Sequence, residues 1–187
     1  MTFSVRHITL LTGILTIILS FLWFGRETGT YNIIIIAGLI IATISFLVIL
    51  FQKDTIKSKL LWTLVVIASV GLQWLTEPFL VKHSYRRFIK QHESSLNSVT
   101  GLIQKNKNNL FLSPSSELWT RNGFTEQQVS HIRDGLKKTG ISFIDKDSSK
   151  IFYRTWGMLD VSHGIYYFYS GNKPDERYRH IFGKWYY

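Results

Sequence analysis

The chain has 187 residues, enough for one domain or slightly more, with 22 Lys and Arg against 12 Asp and Glu for a net charge of +10. The charge is unevenly placed: residues 1–81 carry five basic and three acidic groups, and residues 82–187 carry seventeen and nine, so a single uniform globule is excluded. The absence of cysteine excludes disulfides, zinc–thiolate sites, iron–sulfur clusters and a cysteine nucleophile.

Nineteen uncharged residues lie between Arg6 and Arg26, twenty-five between Glu27 and Lys53, and seventeen from Leu60 to Thr76, with Phe79-Leu80-Val81 prolonging the last past Glu77 and Pro78. A helix rises about 1.5 Å per residue, so about 20 residues cross a hydrocarbon core of about 30 Å. Trp23, Tyr31, Trp62 and Trp74 lie near the ends of these stretches, where amphipathic rings settle at headgroup level. A cleaved signal peptide is disfavoured for the first stretch, because its basic region is a lone Arg6 and no small-residue cleavage site follows Leu22-Trp23-Phe24-Gly25. Residues 1–81 are therefore read as three transmembrane α-helices. They contain Thr, Ser and one Gln but no mid-depth charge, which argues against ion or proton transport by this chain alone. Gly38, Ala42, Ala68 and Gly71 are the candidates for helix contacts.

The cluster Lys82, Arg86, Arg87 and Lys90 abuts the third stretch and reads as a membrane-surface site for lipid. Basic groups near an anionic inner leaflet gain about 1 kcal/mol each. The expectation is a multi-pass cell-membrane protein with a cytoplasmic tail, although Lys53, Lys57 and Lys59 would make an inner loop in the opposite orientation.

Residues 82–187 read as a soluble α+β domain of two helices and about four antiparallel strands. In the first helix Tyr85, Phe88, Ile89, His92, Leu96, Val99 and Ile103 fall at steps of three and four and share a face. Lys105-Asn-Lys-Asn-Asn109 ends it, and Ser113-Pro-Ser-Ser116 reads as loop. The second helix opens at Thr125-Glu-Gln-Gln128, a capping box flanked by the staple pair Phe124 and Val129. Its apolar stripe is Val129, Ile132 and Leu136, and Gly140 suits a left-handed stop after Lys137 and Lys138. Four runs rich in aromatic and β-branched residues follow: 141–143, 151–156, 164–170 and 177–182, with 184–187 extending the last.

Candidate chemistry is sparse. Asp160, Ser162 and His163 lie too close together along an extended segment to build a triad among themselves, and no Gly-x-Ser-x-Gly elbow is present. The histidines match no metal-ligand spacing, and there is no phosphate-binding glycine loop, so neither a metal nor a cofactor is expected. Arg154, Lys173, Arg177, Arg179 and Lys184 interleave with Trp156, Tyr178 and Trp185 in the pattern of a phosphate or nucleic-acid surface, yet no nucleic-acid-binding motif accompanies them.

In Ile165-Tyr-Tyr-Phe-Tyr169 aromatics point both ways, so one set packs against the helices and the other meets a partner, water, or the stalk helix through Phe88, Leu96 and Val99. Arg154, Arg177, Arg179, Trp185, Tyr167 and Tyr169 are the residues expected to bind. The reading is a non-enzymatic membrane-anchored binding protein, an accessory subunit or an immunity-type protein, whose tail recognises another protein. Two rivals are a membrane effector whose tail senses an anionic small molecule while its helices oligomerise, and a membrane-bound hydrolase using Asp160 and His163.

Overall fold

In an apolar medium a chain of Ile, Leu and Val has only its own backbone for hydrogen bonding, and the N-terminal stretches answer with helices. The computed structural model describes residues 4–23, 28–53, 55–158, 161–170 and 174–187. Helix α1 (Val5–Ser20) ends in a 3₁₀ turn (Phe21–Trp23), α2 is Thr28–Phe51 and α3 is Ile56–Gln91. α2 and α3 are long and apolar enough to cross a membrane. α1 has 16 residues, short of the usual length of about 20, so two helices rather than the expected three meet the requirement.

Small residues bring α1 against α2. A Cβ on Gly13 would stand 2.6 Å from the Ala42 backbone nitrogen, and one on Gly38 would stand 2.9 Å from Ile17 Cγ1. Gly38 and Ala42 are four residues apart and share a face, the spacing that lets two backbones approach in lipid. Ala68 and Gly71 differ from expectation: Ala68 is exposed, and the Cβ position of Gly71 has open space around it.

Leu10, Ile49 and Trp62 form the buried centre of this unit, with Ile14, Phe46, Val65 and Val66 packed on it. Trp62 is 4% exposed and stacks on the His7 ring at 4.4 Å, so its ring packs within this unit; Trp74, 77% exposed, keeps an outward position. Lys59 Nζ donates to the Leu50 carbonyl at 2.6 Å, satisfying an end carbonyl of α2. The hydroxyls of Thr9, Thr12, Thr16 and Ser69 donate to carbonyls one turn back at 2.6–2.9 Å, which hides their polarity within the helices.

The division between two compact units falls between His83 and Ser84, so the last turns of α3 belong to the second unit. The expected single helix is broken at His92 (φ −112°, ψ 17°), after which α4 (Glu93–Lys105) resumes. The expected stripe is real: Tyr85, Phe88, Ile89, Leu96, Val99 and Ile103 are all buried, while His92 at the break is half-buried. A short helix, α5 (Leu118–Arg121), precedes α6 (Glu126–Thr139). The capping box at Thr125 and Gln128 forms, and Gly140 closes α6 at φ 70°. α6 comes close to α4 at Gly135, where a Cβ would stand 2.5 Å from Val99 Cγ2.

The sheet has six strands where four were expected: β1 (Leu110–Leu112), β2 (Phe143–Lys146), β3 (Lys150–Met158), β4 (Val161–Phe168), β5 (His180–Phe182) and β6 (Trp185–Tyr186), antiparallel in the order β1-β2-β3-β4-β6-β5. β1 lies between the expected helix end at 105–109 and the expected loop at 113–116, in residues to which the sequence assigned no element. The terminal run divides into a hairpin because Gly183 adopts φ 54°, a conformation that turns the chain tightly. Register places Leu112, Ile144, Tyr153 and Ile165 in one inward row. The Thr100 hydroxyl of α4 meets the Tyr153 hydroxyl at 2.7 Å, and Tyr85 of α3 bonds Thr155 and lies 5.5 Å from the Tyr187 ring.

Two glycines of the N-terminal unit give a matched test. Gly13→Leu should separate α1 from α2 and lower the melting temperature of the full chain in detergent, whereas Gly71→Leu should leave it unchanged. Equal losses would mean that the close approach at Gly13 carries no stability.

Candidate functional site

Strand alternation assigns the aromatic residues to two faces. One inward row continues through Lys146, Ile151, Tyr167 and Trp185; the outward row runs Phe111, Asp145, Phe152, Tyr166, Tyr186 and His180. Helices meet the inward face through Tyr85 and Thr100. The outward face carries the exposed and half-exposed rings: Phe111 is 72% exposed, and Phe143, Phe152, Tyr166, Tyr178 and Tyr186 are half-buried.

These rings pack on one another. Phe111 meets Phe143 edge-on at 4.1 Å, with the Arg154 guanidinium 4.8 Å from the Phe143 ring centre. Phe152 stacks on Tyr166 at 4.5 Å, Tyr166 meets Tyr178 at 4.9 Å, and Phe168 lies 5.1 Å from both Tyr178 and Tyr186. Gly164 makes room for this layer: a Cβ there would strike the Tyr153 carbonyl oxygen and come within 2.7 Å of Phe152 Cε2. Lys150 stands among the rings, donating to the Tyr178 hydroxyl at 2.8 Å with its ammonium 5.1 Å from that ring. The bond to Tyr178 is the main reason that the Lys150 pKa lies above its ordinary value, despite partial burial.

The six residues expected to bind are not one patch. Trp185 is 5% exposed against Tyr153 and Tyr167, so its ring belongs to the inward core. Tyr167 is on that same inward side, and the Tyr169 hydroxyl donates to the Asp147 carbonyl. The parity of β4 instead presents Tyr166 outward. Arg154 is on the outward face; Arg177 is exposed and closes a local pair with Asp175 at 2.8 Å; Arg179 is exposed beside β5. The outward position missed in the sequence is Phe111, and the signal for it is the alternation Leu110-Phe111-Leu112, buried-exposed-buried. Lys82, Arg86, Arg87 and Lys90 are all exposed on α3.

The hydrolytic candidates do not assemble among the described residues. Asp160, Lys173 and the side chains of Ser162 and Trp156 lie outside those residues. His163 is half-buried, with its pKa lowered by burial. Ser98 Oγ meets His131 Nε2 at 2.5 Å in a shallow polar groove between α4 and α6, but no described carboxylate orients that imidazole. No group of three or more His, Asp or Glu among the described residues could hold a metal.

Asp147 holds the turn between β2 and β3. Its Oδ1 accepts from Ser149 N at 2.7 Å, Ser149 Oγ at 2.8 Å and Lys150 N at 2.9 Å. Burial alone would raise the carboxyl pKa, but these bonds and the Lys150 ammonium outweigh it and hold the value below the ordinary one. A depressed carboxyl pKa stabilises the fold above the unfolded-state value of about 4 and loses that contribution as pH falls through the folded value. Asp147→Asn should therefore melt lower than the wild type at neutral pH, with the difference shrinking on acidification below about pH 4. A pH-independent difference in melting temperature would show that the charge plays no part.

No protein-family model, curated protein or solved structure matches this chain.

Proposed function

We propose that the chain is a multi-pass membrane-anchored binding protein, in which α1 crosses the bilayer beside α2 and α3 and the outward face of the C-terminal sheet receives a protein partner on the cytoplasmic side. The observation that carries this reading is the outward aromatic layer from Phe111 to His180. Its rings are held in place by one another and by Gly164, yet remain half-exposed. Tyr, Phe and Arg in such a layer have the composition of interface centres, because rigid rings offer large area at little entropy cost and Arg adds planar hydrogen bonding. Arg154, already resting on Phe143, combines both features.

For the anchor, α1 with its 3₁₀ turn makes 19 residues, Val5 to Trp23. At about 1.5 and 2.0 Å per residue these rise about 30 Å, enough for the hydrocarbon layer. The excess of eight positive charges on residues 82–187 supports the cytoplasmic side.

Two measurements test the two halves separately. A photoreactive phenylalanine analogue at Phe111 or Tyr166 of the full chain should give a discrete protein adduct in native membranes, and the same group at exposed Asp134 on α6 should not. Equal labelling at all three positions would remove the docking role of the face. Topology reporters fused to the two termini should fall on opposite sides of the membrane, with the C-terminal one cytoplasmic. Termini on the same side would reduce the anchor to two spans.

A further inference from the structure

The end of α3 is a second surface, with different chemistry. From Lys82 to Gln91 the exposed residues are Lys82, His83, Arg86, Arg87, Lys90 and Gln91, four of them cationic and none acidic. The other side of the same turns is Ser84, Tyr85, Phe88 and Ile89, each 3% exposed or less. Lys82, Arg86 and Lys90 fall at i, i+4 and i+8, one above the next on a single face, because α3 runs unbroken to Gln91. Among the described residues none of the four cations has an ion-pair or hydrogen-bond partner, and the flanking Glu77 and Glu93 bridge to none of them. Four uncompensated charges on one short surface repel one another, a cost that an anionic ligand would remove.

The helix also sets the depth of these groups. Past Ile56, Lys57 and Lys59 at its start, its exposed apolar side chains run from Leu60 to Phe79, a rise of about 28 Å, close to the thickness of a hydrocarbon core. Lys82 then follows the last apolar ring by three residues, a rise of about 4–5 Å, within the headgroup layer and its field. We propose that Lys82, Arg86, Arg87 and Lys90 form a docking face for the phosphate groups of anionic phospholipids in the leaflet that α3 enters. This rests on the reading of α3 as a membrane span. Arg86 and Arg87 suit the role, since guanidinium binds phosphate oxygens in pairs, and the long stems of all four can bend back along the helix toward the lipid.

The test uses the full chain reconstituted in phosphatidylcholine vesicles. Either brominated phosphatidylcholine or brominated phosphatidylglycerol is added, and tryptophan quenching is recorded; Trp74, exposed on α3, is the reporter. Phosphatidylglycerol should quench preferentially, by up to about fivefold in relative affinity per engaged basic group, equivalent to about 1 kcal/mol each. The variant K82Q/R86Q/R87Q/K90Q should lose the preference, and the charge-preserving variant K82R/R86K/R87K/K90R should keep it. Excess inorganic phosphate should leave the preference intact; if it abolishes it, the face takes free phosphate and the lipid assignment falls. Equal quenching of the wild type by both lipids would overturn the headgroup proposal while leaving the span in place. No quenching by either lipid would overturn the span and the proposal together. Capture of an acidic peptide or nucleic acid without any lipid preference would reassign the face and likewise overturn the proposal.

Discussion

The C-terminal unit depends on the burial of two sets of side chains, the helical stripe of Tyr85, Phe88, Ile89, Leu96, Val99 and Ile103 and the inward rows of the sheet, which meet where Tyr85 reaches Thr155 and Tyr187 and Thr100 reaches Tyr153. Each fully buried aliphatic or aromatic side chain contributes about 1.5–3 kcal/mol relative to exposure. The Thr100–Tyr153 hydroxyl pair fixes the alignment inside that seam, since a buried Tyr hydroxyl without a partner is costly. Burial also raises the Tyr153 pKa, so the phenol stays neutral and able to donate or accept in the pair. Because strand side chains alternate, committing Tyr153, Ile165 and Trp185 to the seam sends Phe152, Tyr166 and Tyr186 to the other side. The outward aromatic face is thus a consequence of the core, and slipping β3 by one residue would exchange the two.

The two units solve the same problem of close approach in different ways. In the N-terminal unit the small residues Gly13, Gly38 and Ala42 let two helix backbones come together. In the C-terminal unit Gly135 admits Val99 between two helices, and Gly164 admits the Phe152 ring across a strand. A glycine inside a helix or strand weakens that element by about 0.5–1 kcal/mol, and each of these positions offsets that through contact. Gly71 has no such contact, which distinguishes a glycine that packs from one that does not.

The charge distribution follows the same division. Turn and cap positions use charge locally: Asp147 gathers three donors, Arg177 closes on Asp175, and Lys137 and Lys138 stand at the C-terminal end of α6. The cations at the end of α3 have no such local use. The C-terminal sheet therefore exposes an aromatic face and the end of α3 a basic one, two surfaces of different chemistry, the first proposed above to act through buried area and the second through phosphate.

The sequence by itself determined the elements whose signals are local. Long apolar runs specify helices because nothing else satisfies their backbones in an apolar setting, and Thr125, Gln128 and Gly140 bound α6 through bonds within a few residues of each site. The helical stripe from Tyr85 to Ile103 was legible for the same reason, since a 3.6-residue period is written in the chain. The tertiary structure decided what depends on distant partners. β1 is three residues long and exists only because β2 pairs with it; the break at His92 and the hairpin at Gly183 depend on backbone angles that composition does not encode. Most of all, alternation shows that Tyr166 and Tyr167 point opposite ways but not which of them faces the helices. That choice is made by Tyr153 meeting Thr100 and by Trp185 seating against Tyr167, contacts between residues far apart in sequence, and so the residues read from the sequence as binding are divided between the two faces.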